Sequence, residues 1–372
     1  MLGDCGLGQC HHCYPVKNCS LGHDFCLENG ICHEIKENDI EKQVNHIKMQ
    51  ENNNIKTLYQ YEDTVLVTGC AGFIGSHVCE HLLKKGTFIY GIDNLNNYYD
   101  PEIKNKNLKC LKKFDNFIFK QDDIRETTII KEIKPKKIIH LASMAGVRYS
   151  IENPLIYNNV NVEGFIHILQ ESVKYGVKQI VYASSSSVYG LNKKIPFSED
   201  DKIESCNSPY ACSKMAMELY ANTYSQLYNL SCIGLRFFTV YGPRGRPDMA
   251  PYKFLNAIIK QEPLNKYGDG TTSRDYTYID DIVEGVVSAL ENKKNIVSGI
   301  YNLGNSSPIS LNKFIETCEK VCKKKAIINS LPMQLGDVPH TCADITKACN
   351  DLNYKPKVKL EEGLQKIIDS LL

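Results

Sequence analysis

The chain has 372 residues, 42% apolar and 23% charged, with 44 Lys+Arg against 43 Asp+Glu and a formal net charge of +1. Such a balance gives no support to a nucleic-acid or anionic-membrane binder, and no apolar run approaches the ~20 residues of a membrane span. The length suits two domains or one large α/β domain with appendages.

Six of the sixteen cysteines (Cys5, Cys10, Cys13, Cys19, Cys26, Cys32) fall in residues 1–33, beside His11, His12, His23 and His33. Three readings stand for this segment: structural zinc on those cysteines, disulfides, or a tail without fixed structure. Residues 34–61 are polar and read as a linker, with Ile40, Val44 and Ile47 at helical spacing. The polar start lacks the apolar core of a signal peptide. The other ten cysteines are scattered through predicted strands and helices, which fits a reducing compartment, the cytoplasm.

At residue 64 the texture changes. Thr64 to Thr68 is a β-branched apolar run and reads as a buried parallel strand. Gly69-Cys70-Ala71-Gly72-Phe73-Ile74-Gly75 follows, then a helix from Ser76 to Lys85 closed by Gly86, and a strand from Thr87 to Ile92 ending at Asp93. Strand, glycine turn, helix, strand and terminal acid together form a dinucleotide fingerprint. The glycines let backbone approach a pyrophosphate at the helix N-terminus. Asp93 can accept from a ribose 2′-hydroxyl and would repel a 2′-phosphate, favouring NAD over NADP.

The alternation continues. Strands are expected at 117–119, 137–142, 178–184 and 231–237, and long helices at 153–175 and 208–228. The fold class is therefore α/β, a doubly wound parallel sheet over 62–238. Asp122-Asp123-Ile124-Arg125 falls where the adenine should lie. Phe165, Ile166, Ile168, Leu169, Met215, Met217 and Leu219 exceed one apolar stripe, marking the two long helices as a homodimer interface. From 239 to 372 the pattern is less regular. A smaller substrate-binding lobe is expected there, with helices near 280–290 and 309–323 and a run at 358–372 packing back on the core.

The chemistry concentrates on Ser185, Tyr210 and Lys214. Ser208 is a good N-cap and Pro209 suits the first helical position. Tyr210 and Lys214, four apart, then share one helical face. A phenol ionises near pH ~10, and an adjacent ammonium lowers that value. Val181 to Gly190 reads as an apolar strand running out into four hydroxyls. A strand ending in Ser beside such a helix suits a proton relay on a sugar hydroxyl.

With these motifs assembled, residues 62–372 resemble the extended short-chain dehydrogenase/reductases. More narrowly they are similar to the NAD-dependent nucleotide-sugar 4-epimerases that act on UDP-glucuronate. The resemblance rests on Val67 to Gly75, His140-Leu141-Ala142, Tyr210-x-x-x-Lys214 and, most specifically, Arg236 to Met249. It implies a tightly bound NAD touching Phe73, Ile74, Asn94, Asp123, Ile124, Leu141, Ala142, Ser143 and Phe237 besides the glycines, Asp93, Tyr210 and Lys214. It implies a UDP-sugar as substrate, with Tyr210 as base, Ser185 bonded to the 4-oxygen, and Lys214 keeping Tyr210 ionised. Where the family's 4,6-dehydratases place Asp and Glu, this chain has Ser186 and Ser187, which cannot do carboxyl acid/base work. With Thr239 and Arg246 they can instead bind a substrate carboxylate. Arg274 matches the family's diphosphate-binding Arg, and Gln334 stands where hexose epimerases carry a second one. Arg148 reads equally as a site residue and as an exposed cation.

Overall fold

The computed structural model describes residues 64–333 and 338–371. The expectations for residues 1–33 and 34–61, and for Gln334, fall outside that range.

The first strand, β1 (Val65–Thr68), is wholly buried. Its glycine turn leads to α1 (Phe73–Lys84), β2 (Ile89–Asp93), α2 (Pro101–Leu111), β3 (Phe117–Gln121) and β4 (Lys137–His140). Of these only α2 is absent from the expectations above. Its signals are local: Asp100 accepts from Glu102 N at 2.9 Å, and Pro101 takes the first position.

The helix expected over 153–175 is broken. A turn of π-helix, Asn158–Glu163, separates a short helix at Pro154–Tyr157 from α3 (Gly164–Tyr175). Buried Asn161 on that turn donates to Met144 O (2.9 Å) and accepts from Met144 N (2.7 Å). These two bonds hold the loop after β4. Then come β5 (Gln179–Ser185), α4 (Pro209–Tyr228) and β6 (Ser231–Phe237). As its sequence suggests, α4 is capped by Ser208, which accepts from Ala211 N at 3.2 Å, and it ends at Asn229 in the left-handed conformation.

Beyond residue 238 the chain forms β7 (Thr239–Tyr241), α5 (Ala250–Lys260), β8 (Pro263–Tyr267), β9 (Ser273–Tyr278) and α6 (Ile279–Glu291). It continues through β10 (Ser298–Leu303), β11 (Pro308–Ser310), α7 (Leu311–Cys322), β12 (Ile327–Leu331) and α8 (Leu360–Leu371). The main sheet has seven parallel strands in the order β10-β6-β5-β4-β1-β2-β3. Its last strand thus comes from the segment that the sequence assigns to the smaller lobe. That lobe carries a three-stranded sheet, β11-β9-β7, and a two-stranded one, β12-β8.

Both faces of the main sheet are covered, so successive strand residues feed opposite cores. Val65, Val67, Ile139 and Val181 pack with α1 and α6. Leu66, Ile138, Ile180 and Tyr182 pack with α3 and α4. That second core corrects the interface expectation: Phe165, Ile168 and Leu169 are fully buried under the sheet, and Met217 is 1% exposed. On these helical segments Leu155, Ile156, Leu219, Tyr220, Leu227 and Tyr228 are exposed. Among the described residues no helix is long and apolar enough to cross a membrane.

Candidate active site

The C-terminal ends of β1, β2, β4, β5 and β6 open on one cavity of about 1020 Å³, closed on the far side by the smaller lobe. Its position follows the rule for open α/β sheets.

One half fits a dinucleotide. Gly69 has φ +70°, and a Cβ on Gly75 would lie 2.1 Å from Gly69 O, so the turn admits no side chain there. Gly72 caps α1 without a side chain, leaving the helix N-terminus open to an anion. Phe73, Ile74, Asn94 and Ile124 line this half, as do Leu141, Ala142, Ser143 and Phe237. Asp123 does not: Arg125 (2.9 Å) and Asn94 (3.0 Å) take its carboxylate, and Asp122 lines the cavity instead. Asp93 is buried at the end of β2. It accepts from Ala71 N (3.2 Å) and Leu95 N (2.9 Å), and the buried Lys104 ammonium stands 3.4 Å away. Lys104 and α2 were not legible as site elements, because a single Lys in a charged segment reads as surface.

The other half holds the expected reactive groups. The Tyr210 hydroxyl is hydrogen-bonded to Ser185, whose Oγ donates to Ser187 Oγ at 3.1 Å and accepts from Ser187 N at 3.1 Å. Burial pushes the Tyr210 phenol above its ordinary value, while the Ser185 hydrogen bond and the Arg246 guanidinium pull it down. The Arg246 guanidinium is thus one cation that favours the Tyr210 phenolate. Lys214 is 1% exposed and donates to Ala183 O at 2.8 Å. Burial drives its pKa down to about 7, against the opposing pull of Glu218. His140, buried nearby and bonded to Thr68 Oγ1 at 2.9 Å, is held neutral by burial and then by the Lys214 charge, at about 3.

Ser186, Ser187, Thr239, Arg148, Arg246 and Arg274 all line this half. Arg246 donates to Asp248 (Nε 3.0 Å, Nη2 2.6 Å) and to Tyr98 Oη (3.1 Å). Its loop is tied back to α1 through an ion pair between Arg244 and Glu80. Arg274 donates to the carbonyls of Ser273 (3.0 Å) and Pro339 (3.3 Å). Arg148 is exposed and also lies 5.4 Å from the Tyr267 ring centre, a cation–π contact at the cavity wall, so both readings of it hold. Tyr98 and Tyr267 escaped the sequence reading, since a single aromatic residue in a loop (Tyr98) or at the end of a short strand (Tyr267) carries no spacing signal. The cysteines proposed for zinc lie outside the described residues, and among the described residues no group of three or more His, Cys, Asp or Glu could hold a metal.

The family model for GDP-mannose 4,6-dehydratases matches residues 66–367. The UDP-glucuronate 4-epimerase of Thermodesulfobacterium geofontis is 44% identical over 309 residues, 82% of this chain and 94% of that one. UDP-glucuronate 4-epimerase 5 of Arabidopsis thaliana is 43% identical, over 82% and 74% of the two chains. The Bacillus cereus UDP-glucuronic acid 4-epimerase, solved with UDP-glucuronic acid and NAD, superposes with a TM-score of 0.79 at 36% identity, covering 83% of this chain and 98% of that one.

Proposed function

The chain belongs to the GDP-mannose 4,6-dehydratase family, and we propose that within it the protein is an isomerase, interconverting UDP-glucuronate and UDP-galacturonate. The observation that carries this reading is the grouping of Ser185 and Tyr210 with Ser186, Ser187, Thr239 and Arg246 in one cavity. A proton relay there adjoins a set of donors suited to a carboxylate.

A bound NAD would supply the hydride acceptor and donor for carbon 4 of the sugar. The glycine turn and the N-terminus of α1 would hold its pyrophosphate, Asp93 its adenosine ribose, and Lys214 its nicotinamide ribose. Tyr210 Oη takes the proton of the 4-hydroxyl and later gives it back. Ser185 Oγ bonds the same sugar oxygen and keeps it in line with Oη. Because burial opposes ionisation of Tyr210, positive charge near its oxygen is what makes it a base, and Arg246 supplies part of it. Ser186, Ser187 and Thr239 donate to the sugar carboxylate, and Arg274 binds the diphosphate.

Dehydration, the reaction in the family's name, needs carboxyl groups beside the catalytic hydroxyl. Ser186 and Ser187 occupy those positions, which favours simple epimerisation. Incubating the purified protein with UDP-glucuronate and following the products by NMR tests the reading. UDP-glucose and UDP-N-acetylglucosamine serve as rivals, and turnover of a neutral sugar alone would reject it.

The same reading includes a homodimer. Leu219 and Leu227 on α4 are 62% and 68% exposed, and Leu155 before the π turn is 77% exposed. Unpaired apolar surface of this kind favours association. A monomer by sedimentation velocity would remove that part. The ten described cysteines are all free thiols, in keeping with a reducing, cytoplasmic setting.

A further inference from the structure

Three successive residues at the end of β5 each bond one of three residues on α4. Ala183 O accepts from Lys214 at 2.8 Å, Ser184 Oγ donates to Glu218 Oε1 at 2.5 Å, and Ser185 bonds Tyr210. On the helix, Tyr210, Lys214 and Glu218 are spaced by four and form one stripe. The first two belong to the chemistry already assigned. Glu218 does not reach the cavity and is 6% exposed.

Its carboxylate is fully engaged. Arg236 donates to it through Nε (2.9 Å) and Nη2 (2.7 Å). Arg236 is also the partner of Ser184 in the β5–β6 register, so both reach the same face of the sheet. The Arg236 guanidinium is itself stacked 4.7 Å from the Tyr189 ring centre. Glu218 therefore links two neighbouring strands to the catalytic helix directly behind the reacting groups.

We infer that Glu218 is a positioning residue of the reaction: it fixes the end of β5 through Ser184 and serves as countercharge to the Lys214 ammonium. The charged and titratable groups around Lys214 are few. Tyr210 and Glu218 stand on its own helix and neutral His140 on β4, with Arg236 on β6 behind Glu218. Lys214, Glu218 and Arg236 together carry one net positive charge. Removing the carboxylate leaves two buried cations, and only the lysine can relieve this by losing its proton, since a guanidinium does not deprotonate in proteins. Glu218 opposes the loss of that proton.

This inference rests on the epimerase reading. It is tested as a ratio between variant and wild type on whichever UDP-sugar the wild type epimerises, so a wrong substrate shows in the wild type alone. In Glu218→Gln holoenzyme, the limb at which kcat falls with rising pH should move to lower pH by about one unit, a tenfold relative loss on that limb. KM should change little. The double variant Glu218→Gln/Arg236→Gln, which restores the net charge, should move the limb back. A pH profile of Glu218→Gln superimposable on the wild type would overturn the countercharge role. If that variant does not fold, Ser184→Ala carries the test, because it removes one hydroxyl and no charge. A severalfold fall in kcat with an unshifted limb supports the positioning role, and an unchanged kcat overturns it.

Discussion

Arg246 enters the cavity already holding a carboxylate, that of Asp248, 2.6 Å from its Nη2. To meet the carboxylate of a uronate it must exchange one anion for another. The exchange is near neutral in charge, which makes the subsite selective for acids without a large gain in affinity. Oxidation at carbon 4 also turns the substrate into a β-keto acid, which loses carbon dioxide when the carboxylate stands perpendicular to the ketone. Arg246, Thr239, Ser186 and Ser187 can hold it near the plane. A hydrogen bond to a charged group contributes ~1.5–3 kcal/mol, enough to shift partitioning about tenfold or more. Thr239→Ala and Arg246→Ala should raise KM for UDP-glucuronate and release some UDP-4-keto-pentose, visible by NMR, with the carboxylate lost as carbon dioxide and the hydride left on the enzyme as NADH. Weak binding with UDP-galacturonate as sole product would show that these residues only anchor the acid.

Tyr210→Phe keeps the ring that packs edge-on to Tyr157 at 5.9 Å and removes only the hydroxyl. Fold and cofactor retention should persist while epimerisation falls at least about 10²- to 10⁴-fold. Turnover near the wild-type rate, measured by NMR, would take the base role from Tyr210.

Lys214 trades stability for chemistry. Its folded pKa, about 7, lies below its unfolded value. Between the two values the unfolded chain binds more protons, so this group's penalty is full below pH ~7 and fades as the pH rises toward ~10.4. Lys214→Met should abolish turnover yet raise the melting temperature at pH 6.5, since replacing a buried charge by an apolar side chain often stabilises by about 1–4 kcal/mol. The gain should shrink at pH 9.5. Equal or lower melting temperatures for the variant at both pH values would contradict this account.

Gly75→Ala places a Cβ 2.1 Å from the Gly69 carbonyl oxygen. Backbone must move at the turn where a pyrophosphate would rest. Forced overpacking typically costs ~1–3 kcal/mol, so the variant should fold with a lowered melting temperature and purify without NAD. Full NAD content after denaturing release would mean that the turn tolerates the methyl group.

Much of this could be read from residues alone where local signals agree. The glycine turn, the Ser208-Pro209 start of α4 and the Tyr210/Lys214 stripe each carry their own physical mark, and the described structure has all three. The π turn at Asn158–Glu163 was not legible, because its cause is distant: Asn161 donates to Met144 O and to Ser213 Oγ, partners far from it in the chain. Electrostatics were the least legible. Lys214 sits in the expected place, yet its charge is balanced by Glu218 and its hydrogen bond goes to Ala183, partners that only the packed sheet supplies.

The entry of β10 into the main sheet bears on how the chain is made. Until residue 303 has left the ribosome, β6 is a bare edge bearing Arg236 and Phe237, and an unpaired parallel edge invites pairing with another chain. A nascent polypeptide that already contains the glycine turn and the catalytic helix is therefore still unfinished as a folding unit. Fragments cut at residue 245 should aggregate, whereas fragments reaching past β10 should not, and the ribosome must carry some sixty residues of lobe before the nucleotide-binding half can close.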